Sequence, residues 1–131
     1  MTTETQPRPQ TPYERLGGRQ TLRAIVDRFY DLMDGDPAYA QLRAMHAADL
    51  APMRESLTGF MVGWSGGPRD WFEQGKCVMS LHGPLGVTEA TAQQWLGAMA
   101  RAIEETVGGR DPEIAKAMND VLQEMAKGMA R

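Results

Sequence analysis

His46 and His82 are the only imidazoles in the 131-residue chain, and Cys77 is its only thiol. Neither histidine belongs to a pattern that announces a zinc, redox or nucleotide site, since HExxH, CxxC and GxxxxGK are all absent. Any chemistry at His82 therefore proceeds without a second metal ligand nearby in sequence. The residue stands in VMSLHGPLGV, a polar ring among apolar neighbours just before a helix-breaking Gly83-Pro84. On composition alone it reads as an ordinary, partly buried histidine satisfied by a backbone carbonyl. Tyr30 and Trp95 each carry one hydrogen-bond donor on a large apolar ring. Both fall on apolar helical stripes, where an aromatic ring ordinarily just fills core.

Positioning these groups requires helices, and the chain punctuates itself into them. After Gly17-Gly18, the residues Leu22, Ile25, Val26, Phe29, Tyr30, Leu32 and Met33 recur at helical spacing, which predicts one strongly amphipathic helix. Asp36-Pro37 combines a side-chain acceptor with a pre-set φ and opens a short second helix that should end before His46. From Asp49 to Ser65 the stripe Met53, Leu57, Phe60, Met61 and Trp64 marks a third, stopped by Gly66-Gly67-Pro68. Between Arg69 and Val87 the aromatics Trp71 and Phe72 mix with Gly75, Gly83, Pro84 and Gly86, leaving room for a helical turn or two at most. Thr88 is the expected N-cap of a helix whose stripe is Trp95, Ala98, Met99, Ala102 and Ile103, ending at Gly108-Gly109. Asp111-Pro112 opens the last helix, with Ile114, Met118, Val121, Leu122, Met125 and Met129 inward. No strand-like alternation competes, so the expected class is all-α.

The chain is one domain's worth. Residues 1–12 carry no apolar h-region and read as a flexible tail rather than a secretory signal, with the domain spanning 13–131. Basic residues number 14 against 17 acidic ones and form no basic run, which argues against nucleic acid as a partner. No stretch approaches the roughly 20 apolar residues of a membrane span. A single cysteine cannot close an internal disulfide, which fits a reducing cytoplasm, and a cytoplasmic monomer or weak dimer is the expected state.

Taken in order, Gly17-Gly18, Phe29-Tyr30, Trp64 with Gly66-Gly67-Pro68, His82, and Trp95-Leu96 with Met99 resemble the truncated haemoglobins, and among them group II. The match runs from about Tyr13 to the last helix. Trp95 follows His82 by 13 positions, the offset that separates the distal tryptophan of group II from that family's proximal histidine. The resemblance implies a truncated globin fold, a two-over-two helical sandwich around a haem, with a vestigial first helix and a mostly irregular proximal loop. A lone histidine suffices in such a protein, because the porphyrin supplies the equatorial nitrogens and the chain adds only an axial ligand.

Carried over residue by residue, the resemblance makes His82 the metal ligand to the iron of haem b. Tyr30 becomes the distal tyrosine and Trp95 the distal tryptophan, while His46 in MHAADL takes the pocket position after the short second helix. Met53 occupies the place of the gate residue of larger globins and, with Leu57, Phe60, Trp95 and Leu81, is expected to line the haem. A methionine there has no proton to donate. Group II members commonly carry a basic residue just before the proximal histidine to pair with a haem propionate; Leu81 stands in that place here, leaving Lys76, Arg69 or Arg54 for the task. The implied function is reversible binding of O2 and the related diatomics CO and NO, as in oxygen transport. NO dioxygenase or peroxidase-like activity is the enzymatic extension, with electrons drawn from an unidentified reductase. Donors at Tyr30, Trp95 and His46 would favour slow O2 release. The competing class is a cofactor-free all-helical interaction module, in which His82 and the aromatics serve only as core.

Overall fold

Thr11 opens the first helix with a reciprocal cap. Its Oγ1 accepts the Glu14 N–H at 3.1 Å while Glu14 Oε1 accepts the Thr11 N–H at 3.0 Å, and Pro12 supplies the pre-set φ of the first helical residue. Helix α1, Pro12–Leu16, begins at the last residue of the expected 1–12 tail, and TPYE is the signal that marks it. The computed structural model describes residues 11–46, 48–74 and 88–127, and no strand occurs among them.

Gly17, at φ 110°, ends α1 in the left-handed region that suits glycine and lets α2, Gly18–Gly35, turn away at once. Every residue of the stripe read from the sequence is buried in α2: Leu22, Ile25, Val26, Phe29, Tyr30, Leu32 and Met33. Asp36 accepts the Ala38 N–H at 2.9 Å and opens a 3-10 turn, Pro37–Tyr39, that leads into α3, Ala40–Ala44. Helix α4 spans Ala51–Trp64 and α5 spans Asp70–Glu73. Thr88 caps α6, Glu89–Ile103, through the Thr91 N–H, and a π-helical turn, Glu104–Gly108, extends its end. The last helix, α7, runs Pro112–Lys127.

Helix α2 packs on both α4 and α6, and α6 packs on α7, so two helix pairs lie one over the other. Between them Phe29, Met61, Met99, Ile103 and Val107 are fully buried, each side chain contributing about 1.5–3 kcal/mol by leaving water. On α7 the buried line is Ile114, Ala115, Met118 and Leu122; Val121, expected inward, is 49% exposed. It sits about 100° round the helix from Leu122, past the edge of the line that α6 covers. Met125 packs partly at the margin, and Met129 lies outside the described residues.

Two glycines let α5 close on α4. A Cβ on Gly63 would come within 2.7 Å of the Phe72 ring, and one on Gly59 within 3.2 Å of Trp71. Trp71 is buried and donates its indole N–H to Ser56 at 3.0 Å, which ties α5 to α4.

Arg15 clasps α1 to α7. Its guanidinium makes two 2.8 Å bonds to the Asp111 carboxylate and a third, 2.6 Å, to Glu113. The Arg15 hydrogen bonds hold the Asp111 carboxyl below its ordinary value, helped by the Ile114 N–H. A carboxylate depressed by folding stabilises the fold above its unfolded pKa, near 3.9, and loses that contribution as pH falls through its folded value. Asp111→Asn should therefore lower the melting temperature at pH 7, and its deficit relative to the parent should shrink between pH 4 and pH 2. A deficit constant across that range in circular-dichroism melts would contradict the clasp.

Candidate functional site

Tyr30 lies near the end of α2 and is only 2% exposed. Burial pushes its phenol above the ordinary value, and the Arg54 guanidinium, 5.7 Å from the ring centre, acts in the opposite sense. The group is thus a neutral O–H donor at physiological pH. None of the described residues takes its proton in a hydrogen bond. Trp95 reaches the same region from α6, half-buried, and its indole N–H likewise has no partner among the described residues. Phe29 joins the two: its ring meets Tyr30 edge-on at 4.8 Å and Trp95 at 5.4 Å.

His46 follows α3, with its ring 5.9 Å from that of Tyr30. Its Nδ1 lies 2.9 Å from the Leu42 carbonyl, which can only accept, so Nδ1 carries the proton. The neutral ring then offers a lone pair at Nε2, and donates from there only as imidazolium. Tyr30, His46 and Trp95, separated in sequence, thus gather around one aromatic cluster.

Helix α4 has a second apolar line beside the one it buries against α2. Thr58, Met61 and Val62 are buried, while Leu57 and Trp64 are half-covered and Met53 is 40% exposed. Phe60, 8% exposed, stacks on Trp64 at 6.4 Å and meets Trp71 edge-on at 5.4 Å. The line Met53, Leu57, Phe60, Trp64 is therefore an apolar wall only partly covered by the described residues.

Of the three side chains considered for a propionate, Arg54 is committed to α2: it bonds the Asp27 carbonyl and carboxylate at 3.1 Å each and Asp31 at 2.9 Å. Arg69 lies 4.5 Å over the Phe72 ring. Lys76, Leu81, His82 and Cys77 lie outside the described residues. The contact of Arg54 with Tyr30 had no signal in the sequence, because it joins positions on different helices.

No group of three or more His, Cys, Asp or Glu side chains able to hold a metal occurs among the described residues. A partly covered apolar line on α4, together with donors without partners at Tyr30 and Trp95, suits a flat apolar group that brings its own equatorial metal ligands, as haem does. The donor set and the wall fit that group.

The family model for bacterial-like globins matches residues 11–130. Among solved structures, the group II 2-on-2 hemoglobin of the plant pathogen Agrobacterium tumefaciens is 29% identical, with 97% of this chain and 98% of that chain covered and a TM-score of 0.90. The group II truncated hemoglobin of Bacillus anthracis is 26% identical over 95% of this chain and 94% of its own, at a TM-score of 0.84. A truncated oxygen-avid haemoglobin of Bacillus subtilis is 26% identical over 93% and 100%, at 0.82. With its two stacked helix pairs and a family match over nearly its whole length, the chain belongs to the bacterial-like globins, and its fold is that of a group II truncated haemoglobin.

Proposed function

We propose that the protein carries haem b and reversibly binds O2 and other diatomics, with His82 as axial ligand and Tyr30 and Trp95 as donors to the bound molecule. The observation that carries this reading is the pair of donors without partners, Tyr30 O–H and Trp95 N–H, both buttressed by Phe29. Haem, when bound, would supply an iron centre able to take a diatomic ligand. Around it the chain's own residues act by binding and exclusion. Met53, Leu57 and Phe60 would supply apolar wall, with Leu81 assigned beside them by the resemblance alone, and water kept out there strengthens every hydrogen bond made inside. Tyr30 and Trp95 donate to the partial negative charge of bound O2, each bond contributing about 1–1.5 kcal/mol and slowing release by roughly tenfold. His46, whose Nδ1 proton is spent on Leu42, joins them as a donor only when protonated. The oxygen-avid description of the Bacillus subtilis relative supports slow release in this chain too. Turnover as an NO dioxygenase or peroxidase would require electrons from an unidentified reductase partner.

The test is the visible spectrum of freshly purified protein. A Soret band that shifts reversibly with O2 and CO after reduction is expected; its absence after reconstitution with haem would sink the reading in favour of a cofactor-free helical module. A second expectation concerns Trp95, which both donates and fills volume. Trp95→Phe should speed CO association and O2 dissociation together, each severalfold. Lowered melting temperature with unaltered ligand kinetics would mean that the tryptophan only packs.

A further inference from the structure

Gln94 stands one position before Trp95 on α6, and its side chain reaches across to α3. Its Oε1 accepts the Leu42 N–H at 3.0 Å, and its Nε2 donates to Gln41 Oε1 at 2.8 Å. Helix α3 has need of that acceptor. Its N-cap residue is Tyr39, whose side chain makes no cap hydrogen bond, and the Leu42 N–H falls in the first turn, where no intrahelical carbonyl is available. Gln94 acts as an N-cap supplied from another helix. One peptide further on, the Leu42 carbonyl accepts the Nδ1 proton of His46 at 2.9 Å, and the His46 ring meets Tyr30 at 5.9 Å. A line of contacts thus runs from α6 through Leu42 and His46 to the Tyr30 ring.

We propose that Gln94 is a positioning residue: by capping α3 it fixes the Leu42 carbonyl that orients His46 and sets which ring nitrogen carries the proton. The inference rests on the reading of Tyr30 and His46 as pocket residues. Its physical basis is that the tautomer of a histidine is set by the hydrogen bond its other nitrogen makes. If Leu42 shifts, the Nδ1 bond weakens, and the imidazole can turn or exchange tautomers beside Tyr30.

The chemistry provides its own controls. Gln94→Met keeps a similar length but removes both polar atoms. Gln94→Glu keeps an oxygen for the Leu42 N–H and loses only the bond to Gln41, which Gln41→Ala also removes. Imidazole nitrogen NMR on the CO-saturated, haem-loaded protein reports the tautomer, with His46→Gln assigning the signals between the two histidines. The expected result is an Nδ1-protonated His46 in the parent, in Gln94→Glu and in Gln41→Ala, and a lost or exchange-broadened Nδ1 proton in Gln94→Met. An identical His46 signature in Gln94→Met and the parent would overturn the proposal. O2 dissociation on the same samples tests the underlying reading separately. A changed tautomer with a severalfold change in rate supports both, whereas a changed tautomer at constant rate keeps the role of Gln94 and removes His46 from ligand control.

Discussion

His82→Ala is expected to purify with little or no haem. The chain has only two imidazoles, and the other cannot take over. His46 is tied through Nδ1 to Leu42 and lies against Tyr30, one of the proposed donors to the bound ligand. Losing even an outer-shell partner of a metal ligand commonly costs 10–100-fold in affinity, so losing the ligand itself should lower haem retention by more than about tenfold. Pyridine haemochrome content and the ferrous spectrum, compared with His46→Ala, provide the measurement. His46→Ala should keep haem at parental levels. Wild-type haem content and an unchanged ferrous spectrum in His82→Ala would require a different axial ligand.

The second large effect belongs to Tyr30. Tyr30→Phe conserves the ring that packs on Phe29 and removes one hydroxyl, so it isolates a hydrogen bond from the packing around it. O2 dissociation should accelerate by roughly tenfold, with CO affected less because bound CO carries less negative charge. Stability should hardly change. Tyr30 is 2% exposed, but its hydroxyl bonds none of the described residues, so removing it breaks no hydrogen bond among them. Stopped-flow O2 release and ferric melting temperature on one preparation check both halves. Equal release rates would show that Tyr30 does not donate; a marked drop in melting temperature would show that its hydroxyl serves the fold.

The elements most legible in the sequence were those whose signals are local. The α2 stripe is buried in full because a single period accounts for it, and Asp36 and Thr88 cap the helices they precede because a cap needs only its own neighbours. Thr11 was missed as a cap because its four-residue box precedes a single turn rather than an apolar run. Val121 was misread because a stripe drawn from composition is wider than the face its partner helix covers. At the site, Tyr30, His46 and Trp95 do converge, and order along the chain was enough to pair them by resemblance. The reach of Gln94 to Leu42 and of Arg54 to Tyr30 had no local signal for a common reason: each acts on a residue more than 20 positions away, through a side chain whose type says nothing about its direction.

Gly59 and Gly63 read in sequence as defects in α4, yet they divide the helix into faces with opposite tolerances. On the face toward α5 there is no clearance, so even a methyl group must displace an aromatic ring. On the face that bears Met53 and Leu57, side chains are partly uncovered and can change size without disturbing a neighbour's backbone. For anyone remodelling this globin, α4 is a part with one machined surface and one adjustable surface. Size changes at Met53 and Leu57 are made on the adjustable surface, while the glycine seam behind them sets the datum from which every such adjustment is measured.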